Sequence, residues 1–128
     1  MTAKRFENLD AWKTSRELAN LIYEFGKSGG LAKDYGFRDQ LQRASVSVMN
    51  NIAEGFERGS NRDFAKFLFI ARGSVGEVRS MLYLALDQRF ISEEQFNEAS
   101  RLCIRESQMC WGLIKHLQKT SDWKTGQK

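Results

Sequence analysis

Apolar residues recur every three or four positions along four stretches of the chain, the spacing that lines one side of an α-helix. The first runs from about Leu9 to Gly26, with Ala11, Ser15, Leu18, Ile22 and Phe25 on one side, and "GKSGG" ends it. The second runs from about Phe37 to Arg58, with Phe37, Leu41, Ala44, Val48 and Ile52 in line. The third spans about Asn61 to Gln88 and carries Phe64, Leu68, Ala71, Val75, Val78, Leu82 and Leu86. The fourth spans about Glu93 to Lys119, with Phe96, Ala99, Cys103, Cys110, Ile114 and Leu117. No stretch of useful length alternates as a strand does.

Helix starts are marked as well. Ser60 precedes "NRD", and Ser92-Glu93-Glu94-Gln95 has the capping-box pattern, in which the serine and glutamine side chains satisfy backbone N–H groups. Apart from "KSGGLAKDYG" the connections are short, so successive helices should lie antiparallel. The predicted fold is all-α: one domain over residues 1–128, an up-down-up-down four-helix bundle followed by a basic tail over 120–128.

The third stretch breaks the usual bundle pattern. Opposite its apolar stripe stand Arg62, Lys66, Phe69, Gly73, Gly76, Ser80, Tyr83 and Leu84. Only the first turn is charged. A helix apolar or small most of the way round is buried on more than one side, and each mid-helix glycine costs about 1 kcal/mol against alanine. Phe69, Gly73, Gly76, Ser80, Tyr83 and Leu84 are therefore predicted to be an interface between copies of the chain.

On the second stretch Gln40, Arg43, Ser47, Asn51, Glu54 and Arg58 make a polar ridge beside the apolar stripe, expected to meet Arg72, Glu77 or Arg79 in a network of hydrogen bonds and ion pairs. "EGFERGSN" reads as a helix end, a turn and a new start.

Composition adds limits. The chain has 128 residues, 41% hydrophobic and 28% charged, and no proline. No apolar run approaches the ~20 residues of a membrane span, and a cytoplasmic location is expected. The formal net charge is +4. From residue 101 onward six basic residues (Arg101, Arg105, Lys115, Lys119, Lys124, Lys128) face two acidic ones, Glu106 and Asp122, so the excess belongs to the last helix and tail. Cys103 and Cys110 lie about 10 Å apart along a helix, too far for a disulfide, and read as core thiols.

Catalytic and metal patterns are missing. The single histidine, His116, falls on the polar to boundary side of the last helix, away from a nucleophile arrangement. No Glu-x-x-His pair serves a di-iron bundle site, and "GSVG" lacks the Lys-Ser/Thr of a phosphate loop. Neither a metal nor another cofactor is expected, and the protein is read as a non-enzyme. Glu106 lies in the apolar arc of the last helix and is expected to pair with Arg43, Arg72 or Arg79.

The run "NNIAEGFERGSNRDFAKFLFIARGSVGEV", preceded by "FRDQLQRASVSV", resembles the signature of the four-helix-bundle proteins found in intervening sequences of bacterial 23S ribosomal RNA genes. "FENLDAWKTSRELANLIYEF" is similar to that family's N-terminal pattern. The family positions fall on Asn51, Ala53, Glu54, Gly55, Arg58, Gly73, Ser74 and Glu77; "SVMNN" departs from an expected proline-containing stretch. The resemblance implies an up-down bundle assembling as a homopentameric ring. Accessory variability determinants of diversity-generating retroelements are similar too, and these bind nucleic acid and associate with a reverse transcriptase.

Arg58, Arg62 and Lys66, spaced four apart, and Lys115, Lys119 and Lys124 are the candidate contacts to RNA or DNA. The sequence displays no aromatic platform beside them, so binding led by shape and charge is expected. The alternative is a scaffold that recruits a partner protein, such as a nucleic-acid enzyme, without touching nucleic acid.

Overall fold

The computed structural model describes residues 3–119. A 3-10 turn, Phe6–Asn8, leads into α1 (Asp10–Phe25), followed by α2 (Gly29–Lys33), α3 (Tyr35–Glu57), α4 (Asn61–Asp87) and α5 (Glu93–Gln118). The described residues are thus all-helical, with four long helices and one short one. None of these helices is long and apolar enough to cross a membrane.

The core follows the apolar periodicity. Leu18 and Ile22 from α1, Leu41, Val48 and Ile52 from α3, Leu68, Val78 and Leu82 from α4, and Ile114 from α5 are fully buried. Each such side chain contributes about 1.5–3 kcal/mol when removed from water. Cys103 and Cys110 are free and buried among them. Phe37 and Phe96, at the helix starts, are only partly covered.

Caps set the boundaries. Ser60 Oγ accepts from the Asp63 amide at 3.1 Å. At α5 the capping box is complete: Ser92 Oγ accepts from Gln95 N at 3.0 Å, and Gln95 Oε1 accepts from Ser92 N at 2.8 Å. Asp34 caps α3 through the Phe37 amide at 3.1 Å, which starts that helix at Tyr35, two residues earlier than the apolar pattern predicts. Between α3 and α4 the chain turns at Gly59, whose φ of +89° a side chain would strain.

The predicted ten-residue connection "KSGGLAKDYG" contains α2. Gly29 enters it at φ +72°, and Leu31 is fully buried. Gly30 lies so close to Phe90 that a Cβ there would sit 2.7 Å from the ring. Phe90 in turn meets Phe37 edge to face at 5.6 Å, so the α4–α5 turn, α2 and the start of α3 close one end of the molecule together.

Cross-helix pairs give the register. On α3 and α4, Gln40 meets Glu77, Ser47 meets Ser74 and Phe56 meets Phe64. On α4 and α5, Phe69 meets Trp111, Arg72 meets Ser107 and Tyr83 meets Phe96. In both sets one residue number rises as the other falls.

Candidate nucleic-acid interface

Four features bear on function: a polar seam, a buried carboxyl, a bare helix strip and a basic aromatic face.

The seam lies between α3 and α4. Asn51 Nδ2 donates to the Ser47 carbonyl at 2.8 Å and to Ser47 Oγ at 3.0 Å. Ser47 Oγ shares a hydrogen bond with Ser74 Oγ at 3.0 Å, and Gln40 Nε2 donates to Glu77 Oε2 at 3.4 Å. Arg58 donates to Glu54 at 3.1 Å and lies over the Phe67 ring, 4.8 Å from its centroid. The bonds fall into three separate groups along the predicted ridge: Asn51 and Ser47 with Ser74, Gln40 with Glu77, and Arg58 with Glu54. Of the three partners expected for the ridge, Glu77 is the one bonded to it. Beside the ridge a shallow hollow of about 380 Å³ opens among Tyr23, Arg43, Asn50 and Glu54. Gly55 has a packing role: a Cβ there would lie 2.6 Å from Phe67 Cβ and 3.3 Å from the Phe64 carbonyl.

Glu106 is fully buried, and the expected arginine pair is not formed. Its Oε2 accepts from the Cys110 thiol at 3.5 Å, and its Oε1 has no hydrogen-bond partner among the described residues. Arg72 instead donates from Nε to Ser107 Oγ at 3.2 Å and lies over Trp111. Burial pushes the Glu106 carboxyl up to about 8, the Cys110 hydrogen bond only partly opposing it. Burial also raises Cys103, to about 12, with Arg79 opposing and Glu106 adding. The Cys110 thiol is raised by burial and then by Glu106. Thiols so far from ionisation are poor nucleophiles. Among the described residues no three or more His, Cys, Asp or Glu come together as a metal site.

The strip runs along α4. Among the described residues Gly73 and Gly76 have nothing within 4 Å of where a Cβ would stand, so no described backbone offsets their cost. A hollow of about 420 Å³ lies over Gly76 among Arg79, Ser80 and Tyr83. Phe69, Tyr83 and Leu84 are about half exposed, at 46%, 54% and 47%.

The basic face joins the first half of α4 to the last half of α5. Arg62, Lys66 and Phe69 line a hollow of about 430 Å³ with Asp63. Phe69 packs edge to face on Trp111 at 6.2 Å. Arg72 and Lys115 approach the indole to 4.9 and 6.0 Å from its centroid. Lys119 caps the end of α5, and Lys124 lies outside the described residues. Arg58 belongs to the end of α3, and the break at Gly59 separates it from Arg62, so the spacing of four does not place it on their helix face. An aromatic pair does accompany the cations, contrary to the sequence expectation. Phe69 and Trp111 lie on different helices, and only the register of α4 against α5 brings them together.

These observations define an all-helical protein with a polar seam, a bare helix strip and a basic, aromatic face. The family model described as 23S rRNA-intervening sequence protein matches residues 7–112, and the chain belongs to that family. Its fold is similar to the crystal structure of a protein of unknown function from the S23 ribosomal protein family of Bacteroides thetaiotaomicron. That protein is 25% identical, with a TM-score of 0.74 over 82% of this chain and 98% of the other. No curated protein matches.

Proposed function

We propose that the protein is a non-enzymatic, homo-oligomeric, up-down-up-down four-helix bundle that binds RNA or DNA through its basic face. The falling register of the α3–α4 and α4–α5 pairs supports antiparallel packing. The uncovered glycines of α4 support self-association, and the family resemblance supports a ring of five.

One observation carries the binding reading. Arg62, Lys66, Arg72, Lys115 and Lys119 stand along α4 and α5, with Asp63 the carboxylate among them. Such a face attracts phosphates, and repeating it around a ring multiplies its effect. A nucleic-acid-handling protein is a further partner that the resemblance supports.

The test is binding of the purified protein to structured RNA and duplex DNA across a salt series, with mass measured in parallel. Affinity should fall steeply with salt, by about one power of the salt concentration for each phosphate neutralised on duplex DNA. An intact oligomer that binds neither at low salt would refute the reading and leave recruitment of a partner protein as the function.

A further inference from the structure

We propose that Phe69 and Trp111 form a stacking site for an unpaired base of single-stranded nucleic acid, with Arg72 and Lys115 holding the adjoining phosphates. This rests on the nucleic-acid reading above. It adds where a base sits and which form of nucleic acid is preferred.

Two rings from different helices meet at 6.2 Å, yet Phe69 keeps 46% and Trp111 38% of its surface exposed. A large ring usually hides its faces or stands alone on a surface. Two together, both open and with their planes 65° apart, offer a base one ring face to stack on and the other ring against its edge. Base–aromatic stacking is indifferent to sequence, because every base presents a π-face, and it needs a base free of its duplex.

The cations fit the rest of a nucleotide. Ser107 holds Arg72 by Nε, which fixes the guanidinium while its remaining N–H groups stay available to a phosphate. Lys115 reaches the same indole from the next turn of α5. Between Ser107 and Lys119 the sequence of α5 contains no Asp or Glu. On α4 Asp63 shares its hollow with two cations, Arg62 and Lys66. A protein partner covering this face would have to bring carboxylates of its own to offset the buried cations, whereas a nucleic-acid strand carries an anion at every nucleotide. Phe69, which the helix pattern groups with the interface between copies, is assigned here to the stacking site through its contact with Trp111. The interface keeps Gly73, Gly76, Ser80, Tyr83 and Leu84 further along α4.

The experiment is fluorescence anisotropy of the full chain with labelled mixed-sequence oligomers of about 12 units, within the ~4–16 nucleotides typical of single-strand sites. Single-stranded RNA, single-stranded DNA and the matching duplexes are compared at one fixed salt concentration. Trp111→Leu should weaken binding to both single strands by about 5- to 150-fold while moving duplex affinity less than about twofold. Trp111→Phe should recover most of the loss, and Lys115→Gln should lower the single-strand salt slope by about 0.7. Mass and helicity are measured on each variant.

Three results would overturn the proposal. Wild type that binds while Trp111→Leu binds single strands equally well removes the stacking site and leaves the charge-led reading intact. A fall in mass for both Trp111 variants assigns the rings to contacts between copies. Wild type that binds no nucleic acid at low salt removes both readings.

Discussion

Glu106 sits in the core without a cation, and its chemistry sets how the fold responds to pH. In the folded protein its carboxyl holds its proton up to about pH 8, against an ordinary value of 4.5. Unfolding between those values therefore releases a proton, so the stabilisation present below pH 4.5 is lost as pH rises towards 8. Glu106→Gln removes that proton release. The expected outcome, in urea unfolding across pH 4–9, is that the variant gains on the wild type steadily through this window. The gain approaches ~1.4 kcal/mol per pH unit at most. Parallel curves for the two proteins would show that the carboxyl does not titrate as its burial dictates.

Between elements, the close crossing of α3 and α4 depends on Gly55. A methyl group there would meet the Cβ of Phe67 and the backbone of α4, neither of which yields as a flexible side-chain tip does. Gly55→Ala should cost about 1–3 kcal/mol through overpacking, despite the ~1 kcal/mol of helix propensity it gains. Gly36→Ala, on the same helix with nothing within 4 Å, should instead stabilise by about 0.5–1 kcal/mol. Denaturant midpoints compare them, and a neutral Gly55→Ala would mean that the crossing relaxes freely.

The four long helices were legible in the sequence because each repeats its apolar spacing over four or more turns, and Ser60 and Ser92 mark two of their starts. The five-residue α2 was not: one buried residue, Leu31, makes no period. The polar ridge was legible from the spacing of Ser47, Asn51, Glu54 and Arg58. Its partner Ser74 was visible only through family resemblance. The Phe69–Trp111 pair was hidden for a different reason. Each helix face can be read alone, but which residues meet across α4 and α5 depends on their register. The arginine expected at Glu106 was a matter of competition, since Arg72 has Ser107 and an indole face to satisfy it at the surface without being desolvated.

At the scale of the whole molecule, α4 presents a strip that the described residues of one protomer leave uncovered. Gly73 and Gly76 each cost about 1 kcal/mol of helix stability and have no neighbour within 4 Å of a Cβ among the described residues. If their use lies in an approaching second copy, bulk at either position separates the copies without unfolding them, because a side chain there meets open space in the protomer. Gly76→Leu should therefore keep full helicity by circular dichroism while its mass by light scattering falls. Nucleic-acid affinity should fall with it. At +4 per chain the proposed ring of five would hold about +20, and a strand crossing several copies would gain avidity that one copy lacks, about 10² or more in affinity. The two readouts separate the roles of the strip and the basic face. A lowered mass with unchanged affinity would mean that one protomer binds by itself. An unchanged mass would mean that the strip is not where copies meet, and that the glycines of α4 serve some contact other than self-association.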